Sequence, residues 1–421
     1  MHYSDLNKEV LIKDAPFAWF LFDQAKLNPR YRYPDFQRQS EMLEAHLDAL
    51  AMALEAGHPI ENWLDMGDWG SCFQLAALGI RYRRNDLFLQ ALDALQEGEE
   101  SHYQEIVDAC LWHEQDEGDD WLLALQAHHS PVAQQAFIAI LRTNRHPSPP
   151  SITDVFFEHP HPAVKKQLLN WIGEQKQTEQ LSYVQQFYLN GTQLKQKPQD
   201  LTLAFAATRA GILLKDPDAK NQLKHFALTQ NPFMLEALGL LFINEEDIGL
   251  VRQWIKKIWE MEKLPVRAKF YATAVSGLIE FTENLFDYMA DSIASKAAGE
   301  AFTLLIGVDI EDNNLDDKSI QTADINDHSE DAELNQTDKN TSFINDWEED
   351  QPYPDTDACY MWWEKNQSQF NKEERHLAGL ITNEENLLTI LKKGNQRQRH
   401  LASLHLSLRL NYNWRDPSWP I

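Results

Sequence analysis

The sequence predicts an all-α fold: helix pairs stacked on one another, interrupted by one long acidic insertion. Three observations lead there. Apolar residues recur at helical spacing through most of the 421 residues. Several apolar stripes open on a short polar residue followed by proline, the arrangement of a helix start. No run alternates with period two over five or more residues and closes in a hairpin turn, so strand signals are weak.

The elements follow in order. A first helix is expected over 16–27, carrying Phe17, Trp19, Phe20 and Phe22. Pro34 suits the first turn of the next, whose face is Phe36, Leu43, Leu47, Leu50 and Leu54 and whose stop is Gly57. Helical stretches are read at 72–83 and 87–95, and Asp119 or Asp120 suits the cap of a helix bearing Trp121, Leu122 and Leu125. From about residue 128 a loose repeat sets in. Ser130-Pro131, His161-Pro162, Asp216-Pro217 and Asn231-Pro232 each precede an apolar stripe. A helix burying a few large side chains gains about 1.5–3 kcal/mol for each, while ordering its backbone costs about 1–2 kcal/mol per residue. Such units do not fold singly, and stacking neighbours must cover the open stripe. After the insertion, helices are read from Tyr360-Met361-Trp362-Trp363, over 383–393 with Gly394 as the stop, and over 396–410; the 416–420 tail is non-helical.

The stretch 309–357 is compositionally different. It holds 17 Asp or Glu against Lys318 and Lys339, a net −15 out of the chain's −27. Few aliphatic residues and strong self-repulsion make it a solvated, largely disordered loop. It is read as an interaction or solubility element or a tolerated surface insertion, not a catalytic one. The regions are drawn as 1–127 (helical), 128–308 (repeats), 309–357 (acidic insertion) and 358–421 (helices docking back on the repeats).

Composition bounds the function. At 43% hydrophobic, with 13 Trp and 20 Phe, the chain has material for a large aromatic core. A net charge of −27 argues against a general nucleic-acid binder, which needs clustered Lys and Arg, and suits a protein that meets basic partners. No apolar run reaches membrane-spanning length, and the start has no secretory pattern. Cys72, Cys110 and Cys359 are scattered and odd in number, neither a disulfide framework nor a zinc ribbon. A reducing cytoplasm is expected.

Candidate chemistry is confined to a few short clusters. His113-Glu114 is a single pair and cannot complete a coordination sphere. His159 and His161, and the adjacent His128 and His129, have no Cys or further His at ligand spacing. A calcium loop starting at Asp312 fails at Asp317, where glycine is needed, and at Ala323, where glutamate is needed. Asp116, Glu117, Asp119 and Asp120 read as helix-start acids. There is no phosphate-binding glycine loop, dinucleotide fingerprint or nucleophile elbow. The expectation is therefore no enzyme, no cofactor and no metal. The main basic cluster is Lys392, Lys393, Arg397, Arg399 and His400. Three readings stay open for it: contact with the chain's own acidic loop or solvent, contact with a partner, or a phosphate at the helix start. Lys392, Lys393, Arg397 and Arg399, with Trp362 and Trp363, form the expected partner-binding set.

Two resemblances add to this. His161-Pro162-Ala163-Val164-Lys165-Lys166 is similar to the opening of HEAT-like repeats. Phe20-Leu21-Phe22 with 44–50, Trp69, 72–78, Trp362-Trp363 through Phe370, 377–380, and Gly394 through Arg399 before a Leu-rich helix together resemble an uncharacterised proteobacterial family of HEAT-like helical-repeat proteins encoded in type VI secretion gene clusters. An acidic variable insertion before the Trp-Trp element also suits it. The departures are a poorly kept repeat between about 175 and 300, and Asn395 and His400 where more basic or small residues are expected. The resemblance implies a non-enzymatic, cytoplasmic protein-interaction scaffold, an adaptor or accessory for loading an effector or spike-tip protein. The alternative is an immunity protein that occludes a cognate toxic effector; an enzyme comes third.

Overall fold

A computed structural model of the chain describes residues 3–28, 30–57, 70–94, 102–112, 120–143, 156–189, 198–321, 351–410 and 412. The described chain is all-α apart from one antiparallel pair of two-residue strands. It divides into two compact units. The first comprises Met1–Leu27 and Tyr33–Ala210; the second comprises Asn28–Arg32 and Gly211–Trp419.

The first unit contains α1 (Tyr3–Leu27), α2 (Tyr33–Glu55), α3 (Ser71–Arg81), α4 (Asn85–Ala94), α5 (His102–Trp112), α6 (Asp120–Ala127), α7 (Pro131–Thr143) and α8 (Pro162–Glu174). Pro131 and Pro162 open their helices, where a missing N–H is no loss. Helix α1 starts well before the expected residue 16 and holds Pro16 in its interior. The carbonyl of Ala15, beside that proline, accepts from the Gln74 side chain at 2.7 Å. Helices α1 and α2 pack on each other, with the Phe22 and Phe36 rings 5.1 Å apart. Helix α3 packs on α4 and α5, α5 on α7, and α7 on α8. The expected face of α2 is confirmed at Phe36, Leu43, Leu47 and Leu50, all fully buried.

Helix α9 (Pro198–Leu213) runs across the division at Ala210 and Gly211. The second unit follows with α10 (Pro217–Ala227), α11 (Met234–Asn244), α12 (Ile248–Glu260), α13 (Val266–Ser276), α14 (Glu283–Met289) and α15 (Ser295–Ile306). Asp216 caps α10 ahead of Pro217, as expected. Asn231-Pro232 does not open a helix directly. The Asn231 amide instead bonds the carbonyls of Phe226 and Thr229, its oxygen accepts from Phe233 N, and α11 starts at Met234. Helix α10 packs on α11, α11 on α13 and α13 on α15, while α12 packs on α13 and α14 on α15.

The stretch drawn as one acidic loop has folded flanks. Leu315 is buried, Asp317 N donates to Tyr353 O at 2.8 Å, and Asp355 N donates to Leu315 O at 2.7 Å. Asp355 caps α16 (Thr356–Asn366), which therefore starts four residues before Tyr360. The boundaries 309 and 357, set by charge alone, thus fall in ordered structure, and 322–350 lies outside the described residues. The boundary at 127/128 falls within the first unit, where α6 packs on α7. The last helices among the described residues are α17 (Glu384–Lys393) and α18 (Gln396–Arg409), which pack on each other; α18 also packs on α11. The 416–420 tail lies outside the described residues.

The strands β1 (His376–Leu377) and β2 (Leu380–Ile381) form a hairpin, each strand too short to show as a period-two run in the sequence. Their turn, Ala378-Gly379, has φ of 50° and 76°, the left-handed pair of a type I′ turn. The turn docks where α15 ends: Ala378 N and Gly379 N donate to the carbonyls of Leu304 and Leu305, at 2.8 and 3.0 Å. Gly307, at φ 79°, makes the approach possible, because a Cβ there would sit 2.2 Å from Ala378 O.

Candidate interaction site in the carboxy-terminal helices

The residues expected to meet a partner have separate fates. Trp363 is buried and its ring lies 5.6 Å from Phe370. Trp362 is half-buried, edge-on to Phe302 at 6.1 Å. The Trp-Trp element is therefore mainly core, and Trp363 is removed from the partner set. What α16 presents outward is Tyr360, 46% exposed, and Met361, 65% exposed.

Arg399 is also corrected: it is fully buried. Its Nε donates to Leu391 O at 2.8 Å and Nη1 to the Gln396 amide oxygen at 2.5 Å. It thus serves the end of α17, where free carbonyls and the helix dipole favour a cation. Arg397 is half-buried and ion-paired with Glu300. The start of α18 carries a capping box: the Asn395 side chain accepts from Gln398 N at 2.9 Å, and the Gln398 side chain accepts from Asn395 N at 3.1 Å. The capping box thus occupies the amides of Asn395 and Gln398 at the helix start, where a phosphate would bind. Of the basic cluster, Lys392, Lys393 and His400 remain exposed, the two lysines in the last turn of α17.

The acidic flank meets different cations. Arg32 contacts Asp309 at 2.9 Å and Asp312 at 2.7 Å, and Arg30 pairs with Glu311. Sequence reasoning missed these two arginines, because they lie some 280 positions away in the chain. The same short segment is tied to the start of α18, where Gln396 N donates to Tyr31 O at 3.1 Å.

Arg375 was equally silent in the sequence. It is 3% exposed, and its guanidinium donates to Ser276 O (2.7 Å), Glu245 O (2.9 Å) and Val275 O (3.1 Å). Those carbonyls close α11 and α13, so one cation satisfies two helix C-termini. His376 N adds a bond to Gly277 O at 2.8 Å. Burial first, and Arg409 second, lower the Arg375 guanidinium to about 9, with Glu245 opposing. His405 lies buried in the same region. Burial, then Arg375 and Arg409, hold its imidazole well below the ordinary range.

Chemistry-bearing groups elsewhere are engaged structurally. Burial pushes the thiols of Cys72, Cys110 and Cys359 up, so they are poor nucleophiles. His128 Nδ1 accepts from Ser130 N at 3.2 Å and His159 Nδ1 from His161 N at 3.1 Å, both as loop locks. Among the described residues no group of three His, Cys, Asp or Glu is placed to hold a metal ion. His113-Glu114 and the acids at 116–119 lie outside the described residues. Among the described residues no helix is long and apolar enough to cross a membrane. Compared with family models, curated proteins and solved structures, the chain matches none of them.

Proposed function

We propose that this chain is a non-enzymatic protein-interaction scaffold working beside a type VI secretion apparatus, as an adaptor for loading an effector or spike-tip protein. The observation that supports it is the packing order within each unit. In the first, α3 packs on α5 and α5 on α7; in the second, α11 packs on α13 and α13 on α15. Contact between every second helix is how stacked pairs build a solenoid, whose flank offers a long surface to another polypeptide. Tyr360 and Met361 supply apolar anchors, and Lys392 and Lys393 supply charge.

The test is co-purification from the native host together with a secretion assay. An adaptor binds the delivery region of an effector or spike-tip protein, and its deletion abolishes that protein's export. Met361→Asp, at the more exposed of the two anchor positions, then lowers recovery at least tenfold without changing the melting temperature. The −27 charge favours one second reading, immunity by occluding a basic toxin, with a steered on-rate. Rescue of cells expressing the toxic domain, with export unaffected, would select it. Recovery of no secretion component in either assay removes both.

A further inference from the structure

A cleft in the second unit has the makings of a ligand site. It encloses about 280 Å³ where α9 ends, α10 begins, α11 ends and α18 ends. Its apolar lining is Ile212, Pro217 and Leu408. Three residues with donor side chains, Lys215, Arg409 and Asn244, are among its lining. Small-ligand sites have this composition, an apolar body with a few placed polar groups.

The donors are available. Lys215 is exposed and makes no ion pair among the described residues. It sits just past α9 at φ 61°, in the left-handed conformation usually given to glycine. Arg409 reaches the Thr382 hydroxyl at 3.3 Å and no carboxylate among the described residues. Lys220, by contrast, is committed to Glu245 at 2.7 Å and lies over the Trp254 ring.

Five charged side chains line the cleft, Lys215, Lys220 and Arg409 against Asp216 and Glu246. Arg375 spends its guanidinium on main-chain carbonyls, and Arg409 repels it. Two arginines therefore share this end of α18 with partial compensation from Glu245. Two other acids line the cleft. Asp216 is occupied in capping α10, its Oδ1 accepting from Asp218 N at 3.2 Å. Glu246 stands exposed at the rim and opposes an incoming anion.

We propose that this cleft binds a carboxylate borne on a compact apolar body, with Lys215, Arg409 and Asn244 holding the carboxylate and Ile212 and Leu408 receiving the apolar part. Two sources present that chemistry, a free small acid and the last residue of a polypeptide. The site stands apart from the scaffold reading, and either can fail alone.

Calorimetric titration of the full chain tests it with four probes: N-acetyl-leucine, a hexapeptide ending in free leucine, its C-terminal amide, and inorganic phosphate. Saturable binding of a free carboxylate is expected, with the amide at least tenfold weaker. The variants act in opposite directions. Lys215→Gln weakens binding about tenfold, whereas Glu246→Gln tightens it a few-fold, in line with charge-assisted bonds. Both are exposed side chains, so folding is unaffected, and a thermal melt verifies that. Equal affinity for the two leucine acids assigns a free small molecule, and a peptide preference assigns a chain terminus. The absence of saturable binding, binding indifferent to both variants, or phosphate matching the leucine acids would overturn the proposal.

Discussion

The most deeply buried charges of the two units are met by opposite means. In the first, carboxylates sit at the centre and cations converge on them. Glu174 receives Arg142 through two bonds of 2.8 and 2.9 Å, and Arg209 at 2.7 Å. Burial alone would raise its carboxyl, but the two arginines outweigh it and hold it below the usual carboxylate range. Asp108 is fully buried and accepts from Trp19 at 3.0 Å, Gln104 at 2.7 Å and the Lys26 ammonium; there burial wins over Lys26 and lifts the carboxyl to about 6. In the second unit a cation is central, and Arg375 is met by helix-end carbonyls. A carboxylate partner ties two side chains together. A carbonyl cluster ties two helix ends together, and so fixes backbone geometry.

That contrast can be broken most directly at its two centres. Arg375→Ala leaves three buried carbonyls without donors and is expected to cost about 3–5 kcal/mol. Hydrogen-exchange mass spectrometry should localise the loss to α11, α13 and the hairpin. Arg375→Lys should recover less than half, because one ammonium cannot span three carbonyls. Unchanged protection in α11 and α13 would mean that the bonds to Arg375 are incidental. Glu174→Gln should cost about 2–3 kcal/mol by leaving two partly buried arginines uncompensated. Its exchange signature should lie in α7 and α8.

Acid separates the two mechanisms further. His405 has a folded pKa below its unfolded value of about 6.5, so the unfolded chain binds the extra proton as pH falls. Stability tied to His405 is complete above about pH 6.5 and declines below it, by up to about 1.4 kcal/mol per pH unit. Glu174, also depressed, holds its contribution until pH falls below the ordinary carboxylate value, about 4.3. Urea midpoints between pH 5 and 7 should therefore fall with acid for the second unit first. His405→Leu should flatten that limb; an unaltered slope would place the acid-sensitive group elsewhere.

Two smaller changes refine the picture. Ala378→Asn creates the Asn-Gly pair preferred in a type I′ turn and should stabilise by roughly 0.5–1 kcal/mol in thermal unfolding. Lys392→Ala with Lys393→Ala should stay within about 0.5 kcal/mol of the parent, as exposed positions do. A loss of partner recovery by that pair would then report binding and not folding.

Much of the helical plan is legible in the chain, because proline and asparagine act locally. Pro131, Pro162 and Pro217 open helices, and Asn383 caps α17. What the chain hides is position-specific work done by residues whose type suggests otherwise. Arg399 sits in a run of surface-like residues, yet its partners Leu391 and Gln396 draw it inside. Asp355 reads as one more charge in an acidic stretch, yet it starts a helix. Arg30, Arg32 and Arg375 depend on pairings 99 to 281 residues distant, which no periodicity encodes. The hairpin escaped notice because its strands are two residues long and its turn is Ala-Gly.

The paired flanks of the acidic stretch carry a practical consequence. Asp317 is fastened to Tyr353 and Leu315 to Asp355, so positions 317 and 353, 36 residues apart in the chain, are held side by side. Two ends already in register close a flexible connection of any length at little extra cost, about 0.6 kcal/mol for each doubling. That clasp is where an inserted reporter module is expected to be tolerated best.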